Sequence, residues 1–230
     1  MDNIAFQAAA LIIPLVLAIV FHEVAHGWVA RALGDPTAAE NKRLTLNPLR
    51  HVDPVGTVVV PGILALTSGP IFGWAKPVPV NFRRLNHPRR DMMVVAAAGP
   101  GTNLILGAIG AVLLGLLARF GNGGEASFLE LFIAANLGNF ILINVFLALF
   151  NLLPIPPFDG SHIVEGLLPD QAARAYAKLR PFGFPLLFLL LLVIPYFFPG
   201  LGIVENVVLP PVEWAGGLYY DLARAVAGGG

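Results

Sequence analysis

The sequence predicts an all-α membrane protein of about four transmembrane helices, and three observations predict it. Of its 230 residues, 57% are hydrophobic and only 12% charged, with mean hydropathy +0.76. Soluble domains carry about twice that charged fraction. A chain this short cannot hide so much apolar surface in its own interior, so the bilayer is its natural solvent. Second, the apolar residues gather into runs near the roughly 20 residues that a hydrocarbon core requires. Third, the polar residues that interrupt those runs include His, Glu and Asn, which are costly in lipid unless they are partnered or functional.

The elements follow in order. The first run is Ile4 to Phe21, broken by Gln7, on a helix expected to continue to Ala30. Asp2 stands where a signal peptide has a basic flank, and no small-residue cleavage site follows, so the run reads as a retained span. A second run lies between Asp91 and Arg119 with no charge inside it. The third extends from about Leu131 to Leu153 and the fourth from about Phe182 to Phe198. Pro14, Pro185 and Pro195 kink helices and are tolerated where neighbours satisfy the backbone.

Between the first two spans, Gly34 to Arg90 contains Val58-Val59-Val60, Ile63 to Leu66 and Lys76-Pro77-Val78-Pro79-Val80. Short β-branched runs punctuated by Gly and Pro predict a small β-hairpin or sheet at the membrane face, with the prolines on an edge. A substrate strand is expected to add to that edge. The tail from Leu201 to Gly230 is interrupted by Glu205, Pro210, Pro211, Glu213 and Asp221. It reads as an amphipathic or re-entrant element rather than a fifth full span. The chain is expected to form one integral membrane domain, 1–230, with a core over 4–165 and an additional helix and tail over 166–230.

Charge sets the orientation. Fourteen basic and fourteen acidic residues cancel, so no global field recruits nucleic acid. Twelve of the fourteen basic residues fall in the loop from Arg31 to Arg90 and in the loop with Arg174, Lys178 and Arg180. The positive-inside rule makes that side cytoplasmic and puts the N-terminus outside. There is no cysteine, which excludes disulfides, thiol nucleophiles and thiolate zinc ligands.

His22-Glu23-Val24-Ala25-His26 is the most informative segment. On a helix, His22 and His26 project from one face and can hold one metal ion. Glu23, offset by about 100°, reaches a water at the metal rather than the metal itself. Two His plus one further ligand and an open position is the pattern of a catalytic zinc, with Glu23 as general acid-base. The alternative is that these groups only hydrogen-bond at a helix end. Asp159 is the candidate third ligand, since it is the only acidic residue between Glu130 and Glu165 and follows the third span; capping the next helix is its other possible use. Counting about 1.5 Å per residue from Arg31 and Asp91, His22–His26 and Gly99–Asn103 lie roughly 8 to 18 Å below the cytoplasmic face, the side to which Asp159 also returns.

These residues resemble the site-2 protease family of intramembrane zinc metalloproteases. The resemblance rests on His22-Glu-Val-Ala-His26, Gly99-Pro-Gly-Thr-Asn103 and Asn151 to Gly160, with Leu44 to Pro48, His51 to Pro54 and Phe72 to Pro79 similar to the loop of compact bacterial members. It covers roughly residues 10–165. It implies one Zn2+ held by His22, His26 and Asp159, Glu23 as the catalytic acid-base, and Asn103 and Asn151 as substrate-binding residues. It also implies a cell (inner) membrane location, an active site nearer the cytoplasmic face, and a partner that is a membrane protein with a transmembrane helix. The PDZ insertion and nucleotide-sensing domain of larger members are not expected here. A membrane metal transporter and a non-catalytic membrane adaptor are the competing classes.

Overall fold

The computed structural model describes residues 4–66, 73–121, 126–198, 200, 202 and 204–229. Asp2, Phe72, Leu201 and Gly230, which figure in the sequence reading, lie outside the described residues. The helices are α1 (Ile4–Ala32), α2 (Thr37–Glu40), α3 (Val60–Leu66), α4 (Pro88–Phe120), α5 (Phe128–Asn151), α6 (Asp159–Leu167), α7 (Asp170–Ala177), α8 (Gly183–Phe188), α9 (Ile194–Phe197) and α10 (Leu209–Ala227). Of these, α1, α4 and α5 are long and apolar enough to cross a membrane. They expose Ile12, Ile13, Leu17, Ile105, Ile109 and Leu142, an apolar surface that suits lipid rather than water.

The fourth expected span, 182–198, is helical but segmented. A turn at Arg180–Phe182 leads into α8, a π-helical stretch Leu189–Val193 and α9. Pro185 and Pro195 lie in this segment, each removing one donor from the regular ladder.

The chain divides into two compact units. One contains residues 1–18, 100–151 and 203–230. Its core is Ala111 of α4, Ile141 and Val145 of α5, and Val212, Ala215 and Ala223 of α10, all buried. Asparagines knit its helices: Asn139 donates to Ala10 O at 2.8 Å, and Asn103 donates to Ala18 O at 3.2 Å and Asn144 Oδ1 at 2.7 Å. The tail is helix α10, docked along the others. Tyr219 Oη donates to Leu104 O at 3.1 Å, and a Cβ on Gly115 would lie 2.7 Å from Val226 Cβ. Helix α10 therefore runs parallel to α4, its C-terminal end beside the Phe120 end of α4. Phe6 packs edge-on against Phe128 and Phe132, with centroids 5.7 and 5.4 Å apart, so the start of α1 meets the start of α5.

The other unit contains residues 19–99 and 152–202. A core of Ala30, Leu85 and Val95, with Val29, Leu33, Val80 and Met92 around it, fixes the second half of α1 against the start of α4. The expected β-hairpin is absent among the described residues. Asp53 caps a helical turn, its carboxylate accepting from Val55 N at 3.0 Å and Gly56 N at 2.7 Å. Val55 to Leu66 then wind as a π-helical turn and α3. An Asp N-cap followed by Pro54 is a helix-start signal, and here it outweighs the β propensity of the valine run. Residues 73–81 are neither helical nor part of a ladder. Their amides go to His51 O, Glu23 and Asp35 instead. No edge exists over Val58–Val60 to receive a substrate strand.

Candidate metal centre

His22 and His26 lie one turn apart on α1 and are both buried, 7% and 9% exposed. Asp159 is the first residue of α6. It arrives there because Pro154, Pro156 and Pro157 bar continuation of α5, and Phe158 N then donates to Ile155 O at 3.1 Å to close a turn. Gly160 permits the close return: a Cβ there would lie 2.5 Å from Leu153 O. Phe158 holds the N-cap position with no side-chain cap, so the carboxylate of Asp159 is not spent on capping.

The three side chains converge on a small triangle. His26 Nε2 is 3.1 Å from His22 Nε2, and Asp159 Oδ2 is 3.2 Å from His22 Nε2 and 3.3 Å from His26 Nε2. His26 Nδ1 lies 2.7 Å from the main-chain oxygen of Val95 on α4. A carbonyl can only accept, so Nδ1 carries the proton and Nε2 presents a lone pair. Asp159 Oδ2 is buried with no hydrogen-bond partner. Two nitrogens and a carboxylate oxygen facing one another at this range call for a cation between them. A tetrahedral zinc with bonds of about 2.0–2.1 Å holds its ligand atoms about 3.3 Å apart, so the residues fit the metal. Among the described residues, they form the one group of His, Asp and Glu side chains able to close on an ion.

Gly99 of α4 completes the cradle. A Cβ on it would stand 2.6 Å from His22 Nε2 and closer still to His26 Nε2, so the absence of a side chain leaves the ligand face open. A metal ligand must be deprotonated, so Asp159 would serve as carboxylate and the two histidines as neutral imidazoles.

Glu23, between the two histidines on α1, is half-buried. Its Oε2 accepts a hydrogen bond from Val78 N at 2.7 Å. Asn103 is fully buried, with its amide committed to Ala18 and Asn144. Asn151 is half-buried at the end of α5 and donates to Leu147 O at 2.9 Å. Sequence reasoning missed three contributors. The Val95 carbonyl and the Val78 amide are main-chain groups with no side-chain signature, although the Pro-Val-Pro run marks the second. Gly99 lies in a motif singled out from the sequence, but only the fold shows that it faces the imidazoles.

Comparison with known proteins identifies the family. The family model described as peptidase family M50 matches residues 124–194, the stretch that carries Asp159. The chain is 42% identical over 188 residues to "Putative zinc metalloprotease YwhC" of Bacillus subtilis (strain 168), covering 80% of each chain. It is 31% identical over 180 residues to "Putative zinc metalloprotease Rip2" of Mycolicibacterium smegmatis, covering 78% of this chain and 64% of the relative. With the Rip2 of Mycobacterium tuberculosis (strain ATCC 25618 / H37Rv) the identity is 30% over 171 residues, and the chain spans 61% of that relative's length. No solved structure matches the chain. The chain belongs to peptidase family M50, the site-2 type of membrane zinc metalloprotease.

Proposed function

We propose that this protein is an intramembrane zinc endopeptidase that cleaves peptide bonds within or near the transmembrane segments of other membrane proteins. The observation that carries this reading is the triangle of His22 Nε2, His26 Nε2 and Asp159 Oδ2, closed to 3.1–3.3 Å beside a glutamate on the same helix. His22, His26 and Asp159 would hold the ion. When bound, zinc supplies a Lewis acid that polarises the scissile carbonyl and makes water acidic near pH 7. Val95 O holds the tautomer and ring plane of His26 through Nδ1. Glu23 takes the proton of the attacking water and passes it to the leaving amine, a role typically worth 10²–10⁴ in rate. Burial of both imidazoles keeps bulk water out and strengthens these charge interactions.

A peptide bond inside a substrate helix is hidden by its own hydrogen bonds, so the enzyme must hold an unwound segment. Asn151 is proposed to meet the substrate main chain. Asn103, fully buried, has its amide on Ala18 O and Asn144 Oδ1.

For topology we propose a cell (inner) membrane protein crossed by α1, α4 and α5, with α10 lying along them in the direction of α4 and the site nearer the cytoplasmic face. The basic loops lie inside. The starts of α1 and α5 and the C-terminal end of α10 then share the outer side, an arrangement supported by Phe6 on Phe128 and by Val226 beside Gly115. Purified protein should contain one zinc per chain and cleave a single-span substrate. Glu23→Gln should keep the zinc and lose cleavage by at least about 10²-fold. Cleavage by Glu23→Gln at the wild-type rate refutes the assignment.

A further inference from the structure

Residues 73–81 cross the second half of α1 as a strap without helix or ladder, and its chemistry is concentrated at Val78. Pro77 and Pro79 carry no N–H, which leaves the Val78 amide as the one main-chain donor between Lys76 and Val80. That donor is used on Glu23, bonding Oε2 at 2.7 Å.

The strap is pinned on both sides of this contact. Lys76 N donates to His51 O at 2.9 Å, and Arg43 Nη2 donates to Lys76 O at 2.7 Å. On the other side, Asn81 N donates to Asp35 Oδ2 at 2.6 Å. Asp35 is completely buried, and its Oδ1 accepts from Thr37 N at 3.0 Å and from the Thr37 hydroxyl. Below the strap is Gly27, one helical turn beyond Glu23. A Cβ on Gly27 would lie 2.8 Å from Val78 Cγ1, so a bare helix surface is what lets the strap sit this low.

We propose that the Val78 main-chain N–H is a positioning group for catalysis. It clamps one oxygen of Glu23 so that the other is presented for proton transfer, and buried Asp35 sets the height of the clamp through Asn81. The inference rests on the reading of Glu23 as the general acid-base. A glutamate is otherwise a mobile side chain with much rotamer freedom to lose. A rigid Pro-Val-Pro donor removes that freedom before substrate arrives. The strap's other polar contacts serve to hold this one in register.

The test uses the full-length protein in lipid bicelles, with a single-span substrate. Val78→Pro continues the proline run and deletes the donor. A backbone ester at position 78 deletes only the N–H and decides the matter if the proline variant loses zinc. Either should lower kcat by about 10- to 100-fold, the worth of a hydrogen bond to a charged group, while zinc content and KM stay at wild-type values. An independent readout needs no turnover. In 15N-valine-labelled protein, with or without zinc, the Val78 amide proton should resonate downfield and move upfield in Glu23→Ala and in Asp35→Ala. A donor-deleted protein with zinc bound and kcat within about twofold of wild type, or an amide unmoved by Glu23→Ala, overturns the proposal. If Glu23→Gln itself cleaves normally, the reading of Glu23 has failed instead, so the two failures are distinguishable.

Discussion

Replacing Gly99 by alanine is the sharpest perturbation of the metal centre. The added methyl would lie 2.6 Å from both Cε1 and Nε2 of His22 and nearer still to His26 Nε2, whereas ordinary contact begins at 3.4 Å. The His22 ring must therefore withdraw by about 0.8 Å, and His26 by more, against a tolerance of about 0.2 Å in metal–ligand distance. His26 cannot swing freely, because its Nδ1 is held by Val95 O at 2.7 Å. Disturbing the orientation of a ligand typically costs 10- to 100-fold in metal affinity, and displacing two should reach the upper end. The accompanying strain of overpacking is about 1–3 kcal/mol, which leaves a folded protein. The assay is competition for zinc against a chelator of known affinity, with metal counted per chain. Gly101→Ala is the control on the same helix, since a Cβ there meets nothing within 4 Å. Equal zinc affinity for Gly99→Ala and the wild type would refute the geometry described for His22 and His26.

Other perturbations probe neighbouring parts of the account. Gly160→Ala would put a Cβ 2.5 Å from Leu153 O, pushing Asp159 off the triangle. Zinc retention after dialysis should fall by about tenfold or more, as a metal count will show. Asn103→Ala removes the donor that satisfies buried Asn144 Oδ1 at 2.7 Å. It should destabilise the protein by about 1–3 kcal/mol in denaturant titration; an unchanged stability with raised KM would point to substrate contact instead. A periplasmic-type reporter fused after Gly229 should be active outside the cell, because the C-terminal end of α10 lies beside the Phe120 end of α4. A reporter active only in the cytoplasm would overturn the orientation.

The metal centre is largely legible in the sequence because each ligand carries its own signal. His22 and His26 have the helical spacing that puts two rings on one face. Asp159 stands alone among apolar residues after a proline break. The long apolar runs are legible for the same reason, since length and hydropathy are local properties. The loop over 55–66 is not, because the valine run and the Asp53-Pro54 start signal point to different structures, and the cap determines the outcome. Nor is the docking of α10. Gly107 and Gly115 of α4 leave room for Tyr219 and Val226, yet nothing local in the sequence says that those two residues fill it. Main-chain partners such as Val95 O and Val78 N are invisible until the fold brings residues 69 and 55 positions apart together.

Zinc-edge X-ray absorption on the purified protein tests the central claim most directly. Wild type should show outer-shell scattering from two imidazoles together with a short-range oxygen, and Asp159→Ala should change the oxygen shell while the imidazole features persist. A wild-type spectrum without imidazole scattering, or one that Asp159→Ala leaves untouched, would contradict the account.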